Sequence, residues 1–114
     1  MNKEQFKGKL LGELVDDSTK IHGSFVDGYD PKSAELTGYF DIDKMKEKTV
    51  VASFDTGFVL IINNSTEKVE AVFKVYEPRN VTVDEERGLV CVVGHEAVHF
   101  YWLDNGEYYS EHTR

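Results

Sequence analysis

The sequence predicts an all-β fold, one antiparallel meander in which a unit of about 40 residues occurs twice. Three observations carry this. Val50–Asn64 aligns without a gap on Val90–Asp104, forty positions later; each copy is an apolar run, a tight polar turn and a second apolar run. Each copy is followed by a turn that holds a glutamate, Glu67 in the first and Glu107 in the second. From Leu36 onward, short runs rich in Val, Ile, Phe and Tyr alternate with turns built on Gly, Asn and Asp, the pattern of successive strands. The 114 residues, 40% apolar and 12% aromatic, suffice for one packed domain.

The elements follow in order. In the first 35 residues, Phe6, Leu10, Leu11, Leu14 and Val15 have helical spacing, and Asn2 with Gln5 forms a capping pair. Gly8 and Gly12 oppose a helix, at about 1 kcal/mol each relative to Ala. The preferred expectation is therefore a strand with Phe6, Leu10 and Leu14 on one face, turning through Asp16–Thr19 into a partner strand at Lys20–Val26. Gly28–Lys32 is a loop in either case. Leu36–Asp43 then opens the meander, and the charged turn Lys44–Lys48 leads to Thr49–Phe54. Asp55-Thr56-Gly57 is a hairpin turn with Gly free to take a positive φ. Phe58–Ile62 is apolar at every position, as a strand covered on both faces must be. Val69, Ala71, Phe73 and Val75 alternate along the next strand. Pro78 breaks the ladder between units. Val81 and Val83 open the second unit, Glu85-Glu86-Arg87-Gly88 reads as a type I turn closed by a glycine, and Leu89–Val93, Ala97–Leu103 and Tyr108–Glu111 complete the strands. The last turn holds the strong hairpin signal Asn105-Gly106. The expected organisation is a single domain, 1–114, with an N-terminal segment 1–35, a first unit 36–76 and a second unit 77–114.

Ile42-Asp43 precedes the first copy and Val83-Asp84 the second, so each unit is strand, charged turn, strand, hairpin turn, strand, polar turn, strand. Over residues 39–111 this pattern resembles the blades of a β-propeller of the WD-repeat kind. The run Val93–Glu107 is the most similar, ending in an aromatic–Asp stretch and a Gly-Glu turn. The signature Trp-Asp dipeptide is absent, because Leu103 separates Trp102 from Asp104, and Gly94-His95 lies in a different turn from the family's Gly-His pair. Such proteins need four or more blades. The resemblance therefore implies a propeller-like fragment, a ring completed by several copies, or a small barrel or sandwich closing on its own sheets.

Charge and composition narrow the function classes. A net charge of −8 disfavours direct nucleic-acid binding and anionic membranes, and favours a basic partner. Cys91 is the only cysteine, so no intrachain disulfide can form, and Met1–Gly12 lacks a signal-peptide core. The expected location is the cytoplasm, and the asparagine sequons at Asn63, Asn64 and Asn80 read as turn residues.

Few residues suggest chemistry. Cys91, His95 and His99 are spaced four apart and are all permissible zinc ligands, with Asp104 or His22 as a fourth; the expectation is nonetheless that no metal and no cofactor is bound. Cys91 lies in the apolar run Leu89–Val93 and is matched by Val51 in the first copy, so it reads as a packing residue rather than a nucleophile. The paired carboxylates (Asp16-Asp17, Asp41 with Asp43, Glu85-Glu86) fall mostly in solvated turns, unsuited to general acid–base work. No catalytic residues are expected. Five aromatics within ten residues, Phe100, Tyr101, Trp102, Tyr108 and Tyr109, exceed what one side of a hairpin buries. Alternation puts Phe100 and Trp102 on one face and Tyr101 on the other. The expected function is a non-enzymatic protein-interaction module, of the acidic inhibitor or immunity type, binding a basic partner or further copies around Tyr101, Tyr108 and Tyr109. The alternative is a small-ligand or metal-binding β-barrel.

Overall fold

The computed structural model describes residues 2–113, and these form nine strands in two sheets. The first sheet holds β1 (Lys20–His22), β2 (Phe40–Lys44), β3 (Lys48–Ser53), β4 (Phe58–Asn63) and β5 (Val69–Lys74), in the order β1-β5-β4-β3-β2. The second holds β6 (Asn80–Asp84), β7 (Leu89–Val93), β8 (Ala97–Trp102) and β9 (Tyr108–Thr113), in chain order. Every pairing is antiparallel except β1 on β5. Eight strands from β2 to β9 thus run as a meander, with each hairpin joining sequence neighbours.

Turn chemistry sets the hairpins. Gly57 ends the β3–β4 turn at φ +81°, and a Cβ there would lie 2.1 Å from the Val75 carbonyl oxygen, so only glycine lets β5 continue past this turn. Gly106, at φ +75°, brings the β8–β9 turn down onto the first sheet, where an added Cβ would meet the Ala71 Cβ at 2.8 Å. The same turn is tied there by polar contacts. The Lys48 ammonium, ion-paired with Glu70, also donates to the Asp104 carbonyl at 3.3 Å, and His22 Nε2 lies 2.8 Å from the Asn105 carbonyl.

The β3–β4 and β7–β8 hairpins share one register. Val50 pairs with Ile61 and Val51 with Leu60 in the first sheet; Val90 pairs with Tyr101 and Cys91 with Phe100 in the second. Each pair is the other displaced by forty positions. Val50, Ala52, Val59 and Ile61 then meet Val90, Val92 and Tyr101 in a single core. Matched faces of the two sheets therefore look at each other, whereas radial repetition around a channel would bring unlike faces of successive units together. Of the forms weighed from the sequence, the chain's own two sheets make a small sandwich.

The opposite face of the first sheet is buried as well. Val51, Phe58, Leu60, Ile62 and Val72 carry a second core formed with Phe6, Leu11 and Leu36 of the N-terminal segment. This segment is neither the expected strand nor one helix. It has a 3-10 turn at Lys3–Gln5, closed by the expected Asn2–Gln5 capping box, and a single α-helical turn, α1 (Leu11–Leu14). Between them, Gly8 donates to the Leu36 carbonyl and Leu36 to the Lys9 carbonyl, so the chain folds as an irregular layer against residues 34–36. The reason is burial: Phe6, Leu11 and Leu36 reach the sheet together, which leaves Leu10 exposed and breaks both regular periods. The expected hairpin partner, Lys20–Val26, is shortened to β1 and pairs with β5 instead. Leu36 likewise belongs to the layer, and the meander begins at Phe40.

Candidate protein-binding face

The first sheet is covered on both sides; the second is covered on one. On its outer side β7 and β8 present three directly opposed apolar pairs: Leu89 with Trp102, Cys91 with Phe100, and Val93 with Val98. Antiparallel sheets with a solvated face alternate apolar inward with polar outward, and this face breaks that rule at all six positions. Edge strand β6 obeys it, turning Val81 and Val83 into the core and Asn80, Thr82 and Asp84 outward. Trp102 is 38% exposed, with its ring centroid 4.6 Å from that of Tyr109. Phe100 is half-buried and meets His112 edge-on.

The forty-residue offset sharpens the comparison. Val51, Leu60 and Ile62 of the first sheet sit where Cys91, Phe100 and Trp102 sit in the second, and they are buried under Phe6, Leu11 and Leu36. The second sheet carries the same kind of face, and no element among the described residues packs on it.

Carboxylates gather at one end of this face. The β6–β7 and β8–β9 turns lie side by side, joined by the Leu103 amide donating to the Gly88 carbonyl at 2.8 Å. They carry exposed Asp84, Glu85, Glu86, Asp104 and Glu107; Glu85 borders Lys46 and Lys48 of the first sheet, and Asp104 borders Lys20 and Lys68. Arg87 is the one cation in these turns, and it already faces Asp84, Nε to carboxylate 3.8 Å.

The aromatic residues expected to form the interaction surface divide. Tyr101 does not belong to it: only 8% exposed, it stacks on Phe73 of the first sheet and lies in the core between the sheets. The hairpin registers decide this, because they put Tyr101 on one face with Val90 and Val83. Burial, with smaller contributions from Tyr108 and Glu111, pushes its phenol up to about 12. Tyr108 and Tyr109 are both exposed, but a register shift between Phe100 and Tyr101 separates them: Tyr108 packs edge-on against Tyr101, and Tyr109 against Trp102 on the outer face. Trp102 and Phe100, not Tyr101, complete the exposed aromatic surface. Edge strand β6 carried the signal, since its clean alternation identifies which face of the hairpin goes in.

The three permissible metal ligands point apart. Cys91 pairs with Phe100 on the outer face, while His99 pairs with Val92 on the inner one. His95 sits at the hairpin tip, its Nδ1 3.0 Å from the Arg79 guanidinium. His99 Nδ1 lies 3.9 Å from the Glu111 carboxylate, and His22 is held at Asn105, so neither His22 nor Asp104 completes a set. Among the described residues no three His, Cys, Asp or Glu side chains converge as a metal site would require. The Cys91 thiol is pushed above its ordinary value by burial, against a hydrogen bond to Thr82, which disfavours the thiolate. On β2, burial and then the charge of Asp41 raise the Asp43 carboxyl.

No helix among the described residues is long and apolar enough to cross a membrane. Comparison with family models, with curated proteins and with solved structures gives no match.

Proposed function

We propose that this chain is a non-enzymatic protein-interaction module that binds a basic protein through the outer face of its four-stranded sheet. The observation that carries this reading is the set of opposed pairs Leu89–Trp102, Cys91–Phe100 and Val93–Val98, apolar where a solvated sheet would be polar. Aromatic centres of this kind, ringed by charge, are the usual anatomy of a binding surface. The occupant follows from charge complementarity. Asp84, Glu85, Glu86, Asp104 and Glu107 at one end of the face, in a chain of net charge −8, suit a partner with an apolar anchor beside lysines or arginines. Inhibition of a basic protein by an acidic one, as an immunity protein does, is one form of this. A second copy carries the same net charge of −8 and is disfavoured by like-charge repulsion.

The reading gives no catalytic role to Cys91, whose raised thiol faces away from His99. The likeness of each unit to a propeller blade points the same way, since such blades serve mainly as platforms, though this step is analogy between folds. The proposed location is the cytoplasm, where a lone cysteine stays reduced.

The test is a photo-crosslinker, p-benzoylphenylalanine, placed at position 100 and, as a control, at position 46, in cells producing the chain. A product with a basic protein from position 100 only is expected. With that protein purified, its affinity for the chain should fall steeply with salt and be lost in Trp102→Glu. Crosslinking of the chain to itself, or binding indifferent to salt, contradicts the proposal.

A further inference from the structure

A second apolar surface lies on the first sheet, and no residue of the outer face of the second sheet contributes to it. Beside the end of β5 the loop 23–29 borders an open recess of about 370 Å³, lined by Phe25, Val26, Tyr29 and Tyr76, with Lys74 at its side. Val26 is 78% and Tyr76 79% exposed, so these two side chains stand at the rim of the recess. The wall is anchored: the Phe25 ring stacks on Phe58, centroids 6.5 Å apart, and Tyr29 leans on Phe25 at 5.7 Å. The volume lies within the range of small-molecule sites.

Lys74 gives the recess its chemistry. Phe73 and Val75 turn into the inter-sheet core, so strand alternation sends Lys74 to the other face, directly opposite Phe58. There its ammonium lies 5.3 Å from the centre of the Phe58 ring and 5.6 Å from that of Tyr29. The ion pairs among the described residues are Lys48–Glu70, Lys68–Asp16, Arg87–Asp84 and His99–Glu111, and Lys74 takes part in none of them. No acidic residue lines the recess. Lys74 is exposed, and its ammonium, outside all of these ion pairs, lies over aromatic rings where a ligand can reach it.

We infer that this recess binds a small carboxylic acid with a flat apolar body, its ring seated among Phe25, Tyr29 and Tyr76 and its carboxylate on the Lys74 ammonium. A single cation matches a singly charged carboxylate. The flat body follows from the aromatic walls, which favour offset or edge-on ring contacts.

The probes are 3-phenylpropionate and its neutral counterpart 3-phenylpropanamide, titrated against the isotope-labelled full chain and followed by amide chemical shifts. The acid should move resonances of residues 23–29 and 74–76 and bind about fivefold more tightly than the amide, the size of one partly exposed ion pair. Lys74→Met should bring the acid down to the affinity of the amide with the melting temperature kept, and Lys74→Arg should retain the preference. Trp102→Glu should leave both titrations unchanged, so this result is separable from that of the protein-binding face. Equal binding of acid and amide, shifts confined to other residues, or no shifts at concentrations of about 20 mM, beyond the weakest useful affinity, would overturn the inference.

Discussion

The ring of Phe73 on β5 lies flat against that of Tyr101 on β8, with centroids 3.7 Å apart and planes 12° from parallel. This contact joins the two sheets within their shared core. It also explains why Tyr101 cannot serve as a surface residue, since the face it occupies is the one that closes the sandwich. Truncation should therefore be costly. Tyr101→Ala is expected to lose about 3–5 kcal/mol, the usual range for an aromatic residue removed from a core, and Tyr101→Phe less than about 1 kcal/mol. Denaturant unfolding checks both; a loss below about 1 kcal/mol for the alanine variant would mean that the sheets do not pack through this pair.

The same burial makes the fold alkali-sensitive. Tyr101 ionises at about 12 in the folded chain, against an ordinary 10.0. Below pH 10 the contribution is intact. Above it the unfolded chain gives up this proton first, so stability falls as pH rises and goes on falling until the folded group ionises too. Melting temperature should decline between pH 10 and pH 12, and Tyr101→Phe should flatten that part of the decline. An identical slope in the two proteins would count against the burial.

Gly106 docks the last turn onto the first sheet. Gly106→Ala should cost about 2 kcal/mol or more, because an L-residue at that φ is strained and its Cβ meets Ala71. A paired Ala71→Gly change should recover the steric part and leave the backbone part. If the double variant regains nothing, Ala71 is not what the turn rests on.

Trp102→Glu should be milder than Tyr101→Ala. Trp102 is 38% exposed and gives up both its ring contact with Tyr109 and its place opposite Leu89, so a loss of about 1–2 kcal/mol is expected, smaller than that of Tyr101→Ala, with higher solubility. Thermal melts and light scattering on the isolated chain check this. A large loss of stability would show that the outer face is a structural surface rather than a binding one.

Much of this fold was legible in particular residues. Asn105-Gly106, Asp55-Thr56-Gly57 and Glu85–Gly88 marked the hairpins, because turn chemistry is local, and the gapless offset between Val50 and Val90 implied that the two hairpins share a register without saying which. The N-terminal layer was not legible. Phe6, Leu11 and Leu36 follow no single period, and only the finished sheet beneath them says where each must land. The face assignment of β8 was ambiguous for a related reason: Ala97–Leu103 is apolar on both sides, so alternation alone cannot tell inside from outside. The neighbouring edge strand resolves it, with Val81 and Val83 alternating against Thr82 and Asp84. The recess at Lys74 joins the loop 23–29 to the end of β5 across some fifty positions, a proximity created by the parallel pairing of β1 with β5 and absent from any local pattern.

Cys91 supplies the most direct test, because its thiol lies at the middle of the outer face and is the only one in the chain. In the isolated protein it should be alkylated slowly at neutral pH and faster as pH rises through its elevated ionisation. In the non-covalent complex with the basic partner that crosslinking at position 100 identifies, alkylation should be suppressed at low salt and return when salt or Trp102→Glu releases the partner. Alkylation at the same rate in the free and the bound chain would contradict the assignment of this face as the binding surface.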